Sequence, residues 1–258
     1  MTIARKNTVA ILLLVFLILI PFFTVSQDDY PGEKEMQCKF YKAYVTGEME
    51  PWPGYIDELE RTYSDNPSDE LLYDIVEAYY GYVGYTIGID EYDEASEYME
   101  AAEHYLDKLE KKKEYKAAAL AFKGAFIAFE IGMNKAKAVF LGPKSMGNIN
   151  RALELDPNNS NALIERGNAE FHMPRIFGGS YKKAAEYFNR AVNALEQSGD
   201  NFSCNWMYMN ALAWLARSYD KAGEIDKAEN TYQKILEKEP EFDWVSEELY
   251  PEFKKSHR

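Results

Sequence analysis

"NALAWLARSYDKAGEIDKAENTYQKILEKEP", residues 210–240, decides how this chain folds. Leu212, Leu215, Ala216 and Tyr219 fall on one face of a helix of 3.6-residue period. Gly223 breaks the pattern and makes a turn. Ala228, Tyr232 and Ile235 line a second helix, and Pro240 ends it because proline cannot continue a helix. Helices joined by so short a turn must pack on each other. Ala216 and Ala228 are small where the two would cross. Such a hairpin cannot bury its apolar face alone, so a stack of hairpins is expected.

Related units lie upstream. "SNALIERGNAEFHMPRIFGGSYKKAAEYFNRAV" repeats the pattern with Leu163, Gly167, Ala184, Phe188 and Ala191. Glu170 stands where the last unit has Tyr219. A looser copy uses Leu120, Gly124 and Ile127, then Ser145, Ile149, Ala152 and Pro157. A degenerate one carries Ala95, Met99 and Ala102 after a first helix in "DELLYDIVEAYYGYVGY". The set resembles the tetratricopeptide repeat (TPR), and "RALELDPNNSNAL" is close to the common form of its junction. The resemblance covers residues 68–242, about four repeats. It implies an all-α fold, a right-handed α-solenoid of helix hairpins with terminal capping helices. Residues 27–67 read as a linker and capping helices, with Ile56, Leu59 and Tyr63 inward in "PWPGYIDELERTY". Residues 243–258 read as a C-terminal cap and tail, with Trp244, Leu249 and Tyr250 covering the last hairpin. Alternating β-branched runs bounded by turns do not occur.

Residues 1–26 read as a secretory signal: Arg5 and Lys6, an apolar run from Val9 to Phe23, then small residues before Gln27. The run is shorter than the roughly twenty residues of a spanning helix. An uncleaved anchor is the alternative. Cys38 is too far downstream to carry a lipid. The remaining chain is thus expected outside the cytoplasm, periplasmic or secreted. Removing Arg5 and Lys6 from 29 basic residues leaves 27 against 43 acidic, a net of −16. Such a balance argues against nucleic acid and anionic lipid as partners, leaving membrane contact to an uncleaved N-terminus. Cys38 and Cys204 could pair in an oxidising compartment. They lie near opposite ends of the chain, and an elongated array would hold them apart. Two buried free thiols are therefore expected.

The repeats differ at one corner, between their first and second helices. Tyr219 to Ala228 spans nine residues, Glu170 to Ala184 fourteen, and Ile127 to Ser145 eighteen. The first copy also looks stretched, through Gly81, Gly84 and Gly88. Equivalent corners of a solenoid share one edge, and insertions there build a wall. These insertions are glycine-rich and carry apolar residues. Two readings follow. The first helices are longer and packed, or Tyr82, Tyr85, Phe140, Met173, Pro174, Phe177, Gly178 and Gly179 mark a corner for a small apolar or organic ligand. "MPRIFGGSYKKAAEYFNRA" also resembles the T-component of periplasmic TRAP transporters, a helical-repeat protein. The shared features are Pro174, Gly178, Gly179, Lys183, Ala184, Phe188, Arg190 and Ala191. That resemblance spans about forty residues and implies small-molecule binding near the corners.

Catalytic signals are weak. His104, His172 and His257 pair with no His or Cys at metal spacing, so no metal and no cofactor are expected. Nucleophile-elbow, zinc-protease and phosphate-loop motifs are absent. "GPKSMG" reads as a helix start with Ser145 near the cap. Not an enzyme, then, but a binding protein. TPR proteins use the concave surface of first helices. Here that surface takes Asn161, Ile164, Asn168, Phe171 and His172, then Asn210, Ala213, Arg217, Asp220 and Lys221. Asn168 is suited to a peptide backbone and Arg217 to a carboxylate. The expected partner is a protein or peptide. A structural subunit of an envelope assembly is a further alternative.

Overall fold

The computed structural model describes residues 32–198 and 204–257. The stretch read as a secretory signal and the start of the linker lie outside the described residues. Among these the chain is helical throughout, without a strand. The order is α1 (Glu33–Thr46), α2 (Trp52–Asp65), α3 (Asp69–Gly88), α4 (Tyr92–Leu109), α5 (Lys116–Met133), α6 (Ala138–Leu155), α7 (Ser160–His172), α8 (Tyr181–Gln197), α9 (Trp206–Ala222), α10 (Ile225–Lys238) and α11 (Tyr250–Ser256). Four antiparallel pairs, α3/α4 through α9/α10, stack in chain order, so the fold is an all-α solenoid. Side-chain caps start several of its helices. Ser68, Asn159, Ser180 and Asn205 each accept a backbone N–H of the first turn.

The residues picked as crossing points are buried. Ala184, Ala216 and Ala228 have no exposed surface, nor does Phe188. A carbon added at Gly167 would sit 2.9 Å from the Phe188 ring, which explains why this helix crossing needs glycine. A wide helical turn, Trp244–Leu249, leads into α11, and Tyr250 and Phe253 pack on Tyr232 with ring centroids 5.6 and 5.4 Å away.

Four features differ from the sequence reading or add to it. First, α1 packs on α2 but does not stop there. It runs across to the last repeat, where Tyr44 Oη donates to Asn210 Oδ1 at 3.0 Å and Tyr41 Oη to Glu239 Oε2 at 2.9 Å. Second, Cys38 and Cys204 are not free thiols. They form a disulfide between residues 166 apart in sequence, with Cα atoms 4.7 Å apart. The array curls instead of extending, so its two ends meet. Third, Gly81, Gly84 and Gly88 do not stretch a turn. They belong to α3, and the chain turns in three residues before α4. Gly81 is where two indoles approach the helix: a carbon there would lie 2.7 Å from Trp52 and 3.0 Å from Trp206. Fourth, Ser145 is not a cap. It is buried inside α6 and donates to the Gly124 carbonyl at 2.7 Å. The longest insertion therefore extends two helices beyond their crossing.

Only the α7–α8 corner is a longer connection, and its geometry is specific. Gly178 has φ +100°, and its N–H caps the turn Arg175–Phe177. Gly179 is pressed against Met173, whose carbonyl oxygen would lie 1.8 Å from an added carbon. Ser180 N–H closes the corner on the Glu170 carbonyl at 2.9 Å. Gly179→Ala must open this turn and is expected to cost about 2–3 kcal/mol in urea denaturation. Gly142→Ala is the control: it lies inside α6 with open space around it, and the change is expected to be neutral or slightly stabilising.

Candidate functional site

First helices α3, α5, α7 and α9 line the inner face of the curled array. One half of that face is filled by the chain itself. Asn161, Ile164 and Asn210 are buried, Ile164 completely. Asn161 Nδ2 donates to Tyr73 Oη at 2.8 Å, and Tyr73 Oη donates to Glu77 at 2.5 Å. Tyr80 Oη donates to Glu165 at 2.7 Å, and Asn168 Nδ2 reaches the same carboxylate at 3.2 Å. Asn168 thus turns toward Glu165, and its Oδ1 is buried without a partner. Trp206, from the start of α9, lies over Tyr80 with centroids 6.3 Å apart and stands edge-on to Trp52 at 5.5 Å. Its indole also hydrogen-bonds Glu77. Burial pushes both carboxyls up to about 7, against the hydrogen bonds from Tyr73, Tyr80, Asn168 and Trp206 that favour the charged form.

The other half stays open as a rim. Phe171 and His172 close α7, and Arg217, Asp220 and Lys221 lie in the last turns of α9. Trp214 joins them: its ring centroid is 5.1 Å from both Phe171 and His172. Trp244 adds a wall 6.0 Å from Trp214. The Arg217 guanidinium stacks 4.3 Å from the Trp214 centroid and 5.5 Å from those of Phe171 and Trp244. Asp220 does not pair with it; His257 Nε2 holds Asp220 Oδ1 at 2.7 Å. Desolvation lowers the Arg217 pKa, though a guanidinium remains charged at any physiological pH. Desolvation and the Arg217 charge hold the His172 imidazole below the ordinary histidine range. Lys221 is exposed beside Asp220, 3.9 Å away.

The corner residues do not converge on one space. Tyr82 is in the core, its hydroxyl donating to Glu94 at 2.9 Å, and Tyr85 packs beside it. Phe140 and Phe177 face solvent, 77% and 72% exposed. Met173, Pro174, Gly178 and Gly179 build the α7–α8 turn itself. Among the described residues no group of three His, Cys, Asp or Glu is placed to hold a metal ion. No described helix is long and apolar enough to cross a membrane.

Sequence reasoning missed Glu77, Glu165, Trp206, Trp214 and Trp244 as members of the inner face. Trp214 was in reach, since it lies three residues before Arg217 and so shares its helix face. The buried carboxylates were not, because a Glu within an amphipathic helix looks the same whether its neighbours are water or another turn of the array. The chain matches no protein-family model and no curated protein.

Proposed function

We propose that this protein is a non-enzymatic, extracytoplasmic scaffold of TPR-like repeats that binds a protein or peptide partner at the Phe171–Trp214–Arg217–Trp244 rim. The observation that carries it is Arg217: a guanidinium stacked on three rings, in contact with solvent and paired with no carboxylate among the described residues. Arginine and tryptophan concentrate binding energy at protein interfaces, where packed rings shield the charge from water. The planar donors suit a carboxylate, from an acidic side chain or a chain terminus. Asn161, Ile164 and Asn210 are covered by α1 and the Tyr80–Trp206 cluster, so among the described concave residues this rim is the part left to a partner. A small-molecule reading of the T-component kind would need Tyr82, Phe140 and Phe177 around one space, and two of these point outward.

Arg217→Ala and Trp214→Ala test the reading. A partner isolated by cross-linking in envelope extract is expected to bind either variant about 10–100-fold more weakly in calorimetry, with far-ultraviolet circular dichroism unchanged. A partner that binds both variants like the parent chain, or none recovered at all, rejects it.

A further inference from the structure

Charge is unevenly placed on this acidic chain. Residues 134–147, "NKAKAVFLGPKSMG", hold Lys135, Lys137 and Lys144 and no acid. Residues 172–183, "HMPRIFGGSYKK", hold Arg175, Lys182 and Lys183 and no acid. These are the α5–α6 and α7–α8 corners. α5 packs on α7 in the stack, so the two corners share one edge. The most exposed large apolar residues among the described ones sit on them: Ile176 at 85%, Val139 and Phe140 at 77%, Phe177 at 72%. The α3–α4 corner also exposes Ile89 and Tyr92, but it carries Asp90, Glu91, Asp93 and Glu94. Among the described residues the combination of bare apolar tips and cations is therefore confined to two neighbouring corners, in a chain whose formal charge is −14.

We propose that this edge docks on an anionic lipid surface. Val139, Phe140, Ile176 and Phe177 enter the headgroup–acyl boundary, and Lys135, Lys144, Arg175 and Lys182 meet the phosphates. The occupant follows from charge and shape. The apolar side chains stand on projecting tips rather than in a groove, which suits a deformable lipid layer. Each is flanked by a cation, which suits phosphate. Lys137 is partly held by Glu130 at 3.2 Å, and Arg175 stacks 5.6 Å from the Tyr181 ring centroid, which keeps its head at the tip. Lys135, Lys144 and Lys182 are exposed and pair with no carboxylate among the described residues. The acidic remainder of the chain is repelled by the same surface, so only this edge faces it.

Vesicle flotation tests the proposal on the whole chain, with its N-terminus as the producing cell leaves it. Vesicles of phosphatidylcholine alone are compared with vesicles carrying about one third phosphatidylglycerol. The readout is the ratio of bound protein on anionic to neutral vesicles, and the change in that ratio between parent and variants isolates this edge from Arg5, Lys6 and the N-terminal apolar run, which all chains share. The expected ratio is about tenfold or more at low salt, falling toward one as salt screens the headgroups. The double variant Lys135→Glu/Lys144→Glu and the double variant Phe140→Ser/Phe177→Ser are each expected to lower it by about fivefold or more from the parent value. All four positions are exposed, so both variants should keep the parent melting temperature. A parent ratio near one, or a ratio that neither variant moves, overturns the proposal. So does a protein that the edge captures while showing no preference for anionic vesicles.

Discussion

Replacing Cys38 and Cys204 together with serine will lower the melting temperature by about 10 °C, the largest single loss expected for this chain. The disulfide closes a loop of 166 residues, so its removal frees most of the unfolded chain. Chain-entropy scaling puts the effect at about 4–5 kcal/mol for loops of this length. Total domain stability is about 5–15 kcal/mol, so the fraction lost is large. The effect will also be local. Apart from the disulfide, α1 meets the last repeat through the Tyr44–Asn210 and Tyr41–Glu239 hydrogen bonds and the packing of Tyr44 on Trp206 and Phe242. Without the covalent link α1 becomes the cheapest element to release, and its amides should exchange first. Scanning calorimetry with and without reductant supplies the check. Reductant should destabilise the parent chain and leave the serine variant unchanged. A serine variant that melts with the parent would show that the ends hold each other without the bond.

Stability will fall as pH rises from about 4.5 to about 7, through Glu77 and Glu165. Burial raises both carboxyls to about 7, whereas in the unfolded chain they return to the ordinary value near 4.5. Between these values the folded state holds protons that the unfolded state has lost. Stability linked to these groups is therefore complete below the unfolded value and gone above the folded one. A shift of this size is worth about 3 kcal/mol per group. The surrounding tyrosines do not titrate in this window, since burial pushes Tyr73 and Tyr80 further above their usual value. Glutamine cannot ionise yet still accepts the tyrosine hydroxyl. Glu77→Gln/Glu165→Gln should thus gain about 6 kcal/mol over the parent at pH 8 and little at pH 4.5. Urea denaturation across pH measures the difference directly, because charge effects elsewhere are common to both chains. Equal pH profiles would mean that water reaches the carboxylates.

Much of the architecture was legible in residues 210–240 and their copies. The spacing of Leu212, Ala216, Ala228 and Tyr232 requires a hairpin, and the same spacing at Leu163, Gly167, Ala184 and Phe188 requires a stack. These are local relations: each helix presents one apolar stripe, and neighbouring stripes must meet. Of the concave residues read from the register, Phe171, His172, Arg217, Asp220 and Lys221 do assemble into a rim. Asn161, Ile164 and Asn210 are instead covered by α1 and the aromatic cluster.

What the sequence by itself determined is thus the helix-hairpin repeat and the small residues at its crossings, because those depend on neighbours a few residues away. Only the tertiary structure decided the curl. A solenoid adds a small rotation at each repeat, and the sum sets whether its ends part or meet. Here they meet, which brings Cys38 to Cys204, lays α1 against α9 and seals two carboxylates under Trp206. No periodicity along the chain encodes a contact between residues 166 apart.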